Sequence, residues 1–366
     1  MRSRISAHVW IVALALATAA AVSRAAAADD QQECLKGSKE TAAATIAACT
    51  RAIQSGDYND RDLSSLYHQR GYSWSWTSFA DRVDRAFKDY TEAIRLDPKA
   101  AGTLLNRSHI YNQWHDYDRA ITDANQAFES GLSDYGKRVG YGERGYAYQA
   151  KGDNDRAIAD YTSSIRLDSN NNAALTARGN AYWAKGDFDR AIADYDQVIQ
   201  LDPTYVLAYY NRSLAYRAKG DLDRVIADCS QAIALYPKYR DAYFNRGYAY
   251  QTKGDFDRAI ADYDQMIALD PTDKDAYSNR ASAYLSKGDF RRAIADSGLG
   301  RALSWLAAVV FLAVGVWLCC RTSTRARGRL SGRTVIEICE EQVAEMQRRN
   351  AVLEKIAVAL EKHSLR

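Results

Sequence analysis

An all-α fold built from tandem helix pairs is predicted by three features of this 366-residue sequence. The tripeptide Lys-Gly-Asp recurs every 34 residues, with its lysine at Lys151, Lys185, Lys219, Lys253 and Lys287. Between these tripeptides, apolar residues lie three or four positions apart, as on one face of an α-helix. Proline, which ends helices, is confined to the repeat ends, at Pro98, Pro203, Pro237 and Pro271.

Residues 172–199 illustrate the two helices that we predict for each repeat. The first helix places Gly179 and Tyr182 on one face, and the second has apolar residues four positions apart. Between them, Gly186 suits the left-handed position that ends a helix. Asp187 can then accept backbone N–H groups at the start of the next helix.

Four positions recur in register through the repeats. The first helix carries a small residue at Gly71, Ser108, Gly145, Gly179, Ser213, Gly247 and Ala281. An aromatic residue follows three positions later, at Trp74, Tyr111, Tyr148, Tyr182, Tyr216, Tyr250 and Tyr284. The second helix carries Ala86, Ala120, Ala157, Ala191, Val225, Ala259 and Ala293. A packing aromatic follows at Tyr90, Tyr161, Tyr195 and Tyr263, and is replaced by Ala124, Cys229 and Ser297.

This pattern resembles the tetratricopeptide repeat family, and the resemblance covers residues 63–297 as seven units. It implies a solenoid of helix-turn-helix modules, each of which buries the apolar face of its neighbour. We interpret residues 29–62 as a divergent N-terminal helical cap.

The sequence departs from the family at the position before the small residue, which is usually leucine. Here it is arginine in every unit, at Arg70, Arg107, Arg144, Arg178, Arg212, Arg246 and Arg280. One interpretation is a packed arginine stem whose head reaches an acid, such as an aspartate of the preceding repeat. The alternative is a ladder that binds anions.

The resemblance implies a concave groove that is lined by first helices and binds proteins or peptides in extended or helical form. The residues predicted to line it are His68, Tyr72, Asn106, His109, Tyr146, Asn180, Tyr210, Asn211, Phe244, Asn245, Tyr248 and Asn279. Asparagine can pair with both donors and acceptors of a peptide backbone, and aromatic rings offer rigid contact area. We therefore expect a non-enzymatic interaction scaffold or adaptor.

Composition argues against several other classes of function. Residues 29–300 hold 35 basic and 40 acidic side chains, a net charge of −5, which does not suit a nucleic-acid binder. The aspartate pairs recur in every unit, whereas catalysis needs one tuned pair. We expect no catalytic residue, no cofactor and no metal site.

The N-terminus has the layout of a secretory signal peptide over residues 1–28. Two arginines precede a 14-residue apolar stretch, 9–22, and small residues follow at Ala26 and Ala28. The alternative is an uncleaved signal anchor. An exported cap would place Cys34 and Cys49 in an oxidising compartment, where they are predicted to form a disulfide. The alternative is two buried thiols.

A second apolar segment, residues 303–320, has 18 residues without charge and is predicted to cross the membrane once. The basic residues of segment 321–333 follow it, so the tail is predicted to be cytoplasmic and the repeats extracytoplasmic. We expect a single-pass protein of the cytoplasmic membrane of a bacterium. A buried core helix is the alternative for this segment.

The C-terminal residues 334–363 show a heptad pattern typical of a coiled coil. Its core positions are Ile336, Cys339, Val343, Met346, Asn350, Leu353, Ala357 and Leu360. An asparagine at a core position favours two strands in fixed register, so we predict a homodimer joined at the tail. A monomeric amphipathic helix on the inner leaflet is the alternative. A dimerising tail would also permit a second function, a transmembrane signalling adaptor that couples groove occupancy to dimerisation.

Overall fold

A computed structural model describes residues 27–56 and 58–297, and this part of the chain is all-α, without strands. The helices are α1 (27–35), α2 (Ala42–Ser55), α3 (Asp60–Trp74), α4 (Arg82–Leu96), α5 (Ala101–Gln113), α6 (Tyr117–Glu129), α7 (Asp134–Ala150), α8 (Asn154–Leu167), α9 (Asn172–Ala184), α10 (Phe188–Leu201), α11 (Val206–Ala218), α12 (Leu222–Leu235), α13 (Arg240–Thr252), α14 (Phe256–Leu269), α15 (Lys274–Lys287) and α16 (Phe290–Asp296). The all-α solenoid predicted from the sequence is confirmed.

Several predictions concern segments outside the described residues. These are the signal peptide up to residue 26, the span 303–320, the basic segment 321–333 and the tail 334–363 with its eight coiled-coil positions. Within residues 27–56 and 58–297, no helix combines the length and apolarity that crossing a bilayer requires. The helices form two compact units, one ending at Asn245 and one beginning at Arg246, and each is described by itself.

The Lys-Gly-Asp turn is explained by three local interactions. Gly186 has a φ of +78°, a conformation that glycine adopts without steric strain. Asp187 accepts the backbone N–H of Arg190, which caps α10. The Arg190 guanidinium pairs with Asp187 and lies 4.5 Å from the centre of the Tyr182 ring. The lysine itself reaches back one repeat, because Lys185 pairs with Asp155 and Lys219 with Asp189.

The repeat core joins a small residue of the first helix to an aromatic residue of the second. A Cβ atom added at Gly179 would lie 2.7 Å from the Tyr195 ring, so only glycine allows this approach. The same contact joins Gly71 to Tyr90 and Gly145 to Tyr161, and Gly247 to Tyr263 in the second unit. Where the first position holds a larger residue, the second is small: Ser108 with Ala124, Ser213 with Cys229, and Ala281 with Ser297.

Each repeat arginine forms a paired hydrogen bond with an aspartate of its own repeat. Arg178 Nε and Nη2 donate to the two carboxylate oxygens of Asp194 at 2.9 and 2.7 Å. The other pairs are Arg70–Asp89, Arg107–Asp123, Arg144–Asp160, Arg212–Asp228, Arg246–Asp262 and Arg280–Asp296. The interpretation that each arginine head reaches an acid is therefore confirmed, and the doubly bonded aspartate lies in the same repeat. The preceding repeat supplies a further aspartate in some repeats, as Asp196 does for Arg212 at 2.5 Å.

The N-terminal cap consists of α1 and α2. A disulfide joins Cys34 to Cys49, and both are completely buried. The Tyr58 hydroxyl donates to the Ala27 carbonyl oxygen at 2.5 Å, which ties α1 to the chain that leads into α3. The helix α3 begins at Asp60, so the first repeat helix starts inside the segment that we interpret as cap.

Candidate functional site

The candidate site in each unit is the surface formed by two positions of each first helix, one residue before and two residues after the repeat arginine. We call these positions the first-helix face. In the first unit they hold Gln69, Tyr72, Asn106, His109, Glu143, Tyr146, Ala177, Asn180, Asn211, Leu214 and Asn245. Successive first helices touch along it, since Asn211 Nδ2 donates to Asn180 Oδ1 at 3.2 Å. Nearby, His68 Nδ1 lies 2.9 Å from Thr103 Oγ1.

Large aromatic side chains on this face are open to solvent. Tyr72 is 39% exposed and Tyr146 is 48% exposed. In the second unit, Tyr248 occupies the corresponding position and is 44% exposed. Exposed aromatic residues are the side chains that most often anchor protein partners.

Other residues predicted to line the groove are engaged within the protein. Asn245 is completely buried and donates to Ser213 Oγ at 2.8 Å, so its predicted exposure is wrong. Asn180 accepts from the Tyr195 hydroxyl at 2.7 Å, and Asn279 donates to a carbonyl of its own helix. Burial also lowers the pKa of the His68 imidazole, which favours its neutral form.

The aromatic residues Tyr210 and Phe244 are half-buried. The Tyr210 ring packs against the Tyr239 ring at 5.0 Å between centres, and burial raises the pKa of its hydroxyl. Asn106 is also half-buried. The open part of the first-helix face is therefore narrower than the sequence predicts, and Tyr72, His109 and Tyr146 form its exposed part in the first unit.

One polar cluster on this face includes two residues that sequence reasoning missed, Asn112 and Glu143. His109 Nδ1 lies 3.0 Å from Glu143 Oε1, and Asn112 Nδ2 donates to Glu143 Oε2 at 2.9 Å. The nearby Glu143 carboxylate raises the pKa of His109. The signal that could have revealed this cluster is the asparagine found before the repeat arginine in four units, which is replaced by Glu143 here.

The turn beside this cluster also departs from the repeat. Trp114, His115 and Asp116 stand where other units have Lys-Gly-Asp, and His115 has a φ of +60°. A residue other than glycine is rare in this conformation. His115 Nδ1 lies 2.7 Å from the Tyr117 hydroxyl, and the Tyr117 and Tyr146 rings are 6.3 Å apart.

The arrangement is suited to recognition through aromatic and polar contacts. In the described part of the chain, no group of three or more histidine, cysteine, aspartate or glutamate residues is placed to hold a metal ion. The repeated aspartates have structural partners there, as Asp187 does in Arg190 and Asp194 in Arg178.

Comparison with known proteins identifies the repeats. Family models described as TPR repeat match residues 145–186 and 179–220, and models described as tetratricopeptide repeat match residues 206–239, 241–273 and 262–295. The solved MamA protein is 31% identical over 44% of this chain and 87% of its own, with a TM-score of 0.42.

Two further solved structures share the fold. A tetratricopeptide repeat protein from Parabacteroides merdae is 19% identical over 64% of this chain and 90% of its own, with a TM-score of 0.50. The C-terminal part of a TPR repeat-containing protein from Cytophaga hutchinsonii is 20% identical over 70% and 98%, with a TM-score of 0.53. The helix pairs, the repeated sequence positions and these matches together place the chain in the tetratricopeptide repeat family.

Proposed function

We propose that this protein is a non-enzymatic scaffold that binds protein partners on its first-helix face. The observation that carries the proposal is that large aromatic residues are exposed at one position of that face, as Tyr72 and Tyr146 are in the first unit and Tyr248 is in the second. A monomeric protein has no structural need to expose such rings at repeated positions, whereas a binding surface does.

We further propose that the repeats act outside the cytoplasmic membrane, with one anchor after them. The buried Cys34–Cys49 disulfide supports this placement, because disulfides persist in oxidising compartments. The layout of residues 1–28 and the uncharged segment 303–320 support it from the sequence. Protease added to intact spheroplasts should then digest the repeats and spare a cytoplasmic marker, and protected repeats would contradict the proposal.

Binding on the first-helix face can be tested with a matched pair of variants. The full chain is crosslinked in cells and captured, and its partners are compared with those of a Tyr72→Ala/Tyr146→Ala/Tyr248→Ala variant. The control is Tyr135→Ala/Tyr236→Ala, which removes tyrosines that are more exposed but lie off this face. We expect the triple variant to lose partners that the control retains. Equal capture by both would reject the proposed surface.

A further inference from the structure

The first-helix face carries one carboxylate, Glu143. In all seven repeats, the two positions that define the face hold neutral side chains or histidine except at this residue. Glu143 lies in the first unit and its side chain is 22% exposed, so a ligand can reach it from solvent. The face therefore presents a single fixed negative charge among aromatic and amide groups.

The neighbouring helix α5 holds this carboxylate in place. His109 lies 3.0 Å from Oε1, and Asn112 donates to Oε2 at 2.9 Å and to the Glu143 carbonyl oxygen at 3.0 Å. Gln113 Nε2 lies 2.8 Å from His109 Nε2. An amide nitrogen only donates, so His109 Nε2 accepts and its Nδ1–H donates to Glu143. While His109 is neutral in this arrangement, the carboxylate charge is uncompensated.

A second feature beside Glu143 suits a nitrogen cation. Tyr146 lies one turn further along α7 on the same side, with its ring exposed, and aromatic faces attract ammonium and guanidinium groups. Asn112 is almost fully buried and contributes by holding the Glu143 carboxylate through its Nδ2 atom.

We propose that Glu143, Asn112 and Tyr146 form a subsite for a lysine or arginine side chain of a partner segment, and that His109 controls its charge. The inference rests on the proposed scaffold function and adds the chemistry of the partner. The basic side chain pairs with the Glu143 carboxylate and packs against Tyr146, while the rest of the segment follows the first-helix face.

Protonation of His109 weakens this subsite. With neutral His109 the cluster carries one negative charge, and with protonated His109 its net charge is zero. The hydrogen bond to Glu143 raises the pKa of His109, so this change begins at a higher pH than it would for an unpaired imidazole. Two titratable neighbours leave this charge unchanged, because Arg144 pairs with Asp160 and Tyr161 stays neutral as burial raises its pKa. Binding of a basic segment is therefore expected to weaken as the pH falls through the pKa of His109.

A phage library of random peptides provides the probe. Peptides are selected against the full chain, against a Glu143→Gln variant and against a Glu129→Gln control, which removes an exposed carboxylate off the face. We expect lysine or arginine to be enriched at one peptide position with the wild type and the control, but not with Glu143→Gln. A selected peptide should bind that variant about fivefold more weakly, as expected for loss of one partly exposed ion pair.

Each outcome separates this inference from the proposed function. Peptides selected without a basic preference, or with the same preference by Glu143→Gln, would overturn the subsite and leave the scaffold function intact. Failure to select any peptide would overturn both. The pH dependence is specific to His109. Binding to the wild type should weaken as the pH is lowered through the titration of His109, and His109→Gln should remove that dependence. An unchanged pH dependence in His109→Gln would reject the role of His109.

Discussion

Two neighbouring repeats of the first unit fill the same space in different ways. In the repeat of α9 and α10, Gly179 admits the Tyr195 ring, whose hydroxyl donates to Asn180. In the repeat of α11 and α12, Ser213 and Cys229 occupy these two positions and leave room beside them. Asn245 enters that room from α13 and is completely buried.

These two repeats show that the fold constrains the combined volume of the small residue and its partner more strongly than the identity of either one. Asn245 donates to Ser213 Oγ at 2.8 Å and accepts from Arg217 at 2.7 Å. Its amide group is therefore hydrogen-bonded in the space that a tyrosine ring fills in the other repeat. One solution depends on burying an aromatic ring and the other on buried hydrogen bonds. They should therefore respond differently to substitution.

The largest expected effect is the loss of the aromatic ring. Tyr195→Cys leaves a cavity beside Gly179, because no asparagine enters from the next helix as Asn245 does, and should reduce the free energy of unfolding by about 3–5 kcal/mol. Chemical denaturation monitored by circular dichroism would measure it. A loss below about 1 kcal/mol would show that the two repeats do not differ in this way.

The reverse exchange is a matched control. Cys229→Tyr should overpack the second repeat and destabilise it by about 1–3 kcal/mol, because Ser213 and Asn245 occupy the space. Adding Ser213→Gly should recover part of that loss, since glycine admits the ring in the first repeat. Strict additivity of the two substitutions would contradict the coupling.

The arginine–aspartate pair is common to both repeats, so its removal should have a similar effect in each. Arg178→Ala and Arg212→Ala leave Asp194 and Asp228 buried without a partner, which should destabilise the protein by about 3 kcal/mol. Burial already raises the pKa of Asp228. Arg212→Ala should therefore lose less stability at acidic pH, where Asp228 is protonated, and the measurement is denaturation at several pH values. A loss that does not depend on pH would contradict this explanation.

A smaller difference is expected at the asparagines. Asn245→Ala removes two buried hydrogen bonds and should reduce stability by about 2 kcal/mol. Asn211→Ala is the equivalent change beside Tyr195, where the side chain is half-buried and its hydrogen bond to Asn180 is 3.2 Å long, and it should reduce stability by about 0.5 kcal/mol. Equal losses in thermal unfolding would show that burial of Asn245 is not what distinguishes the repeats.

The smallest effects are expected at the exposed lysines of the turn. Lys185→Ala and Lys219→Ala each remove one surface pair, with Asp155 and Asp189, and should cost at most about 1 kcal/mol. Their effect should disappear in high salt, which screens exposed charges. A large effect that persists in salt would mean that these pairs hold neighbouring repeats together.

Much of the fold could be predicted because its signals are local. The turn glycine, the capping aspartate and the small residue of the first helix each act within a few residues or within one repeat. The candidate site was less predictable. Tyr72, His109 and Tyr146 are exposed, whereas Asn245 looked equivalent to Asn211 in sequence and is buried because Ser213 and Cys229 leave space for it.

The sequence by itself determined the helical repeat, its register and its caps, because a 34-residue period places the same short-range interactions in every unit. Only the tertiary structure decided which acid each arginine meets, how Asn245 is buried and how His109, Asn112 and Glu143 come together. Arg178 and Asp194 are 16 residues apart, Asn245 and Ser213 are 32 apart, and His109 and Glu143 are 34 apart. Side chains so distant in sequence meet only when whole helices pack, so their partners depend on the volumes of all the residues between the helices.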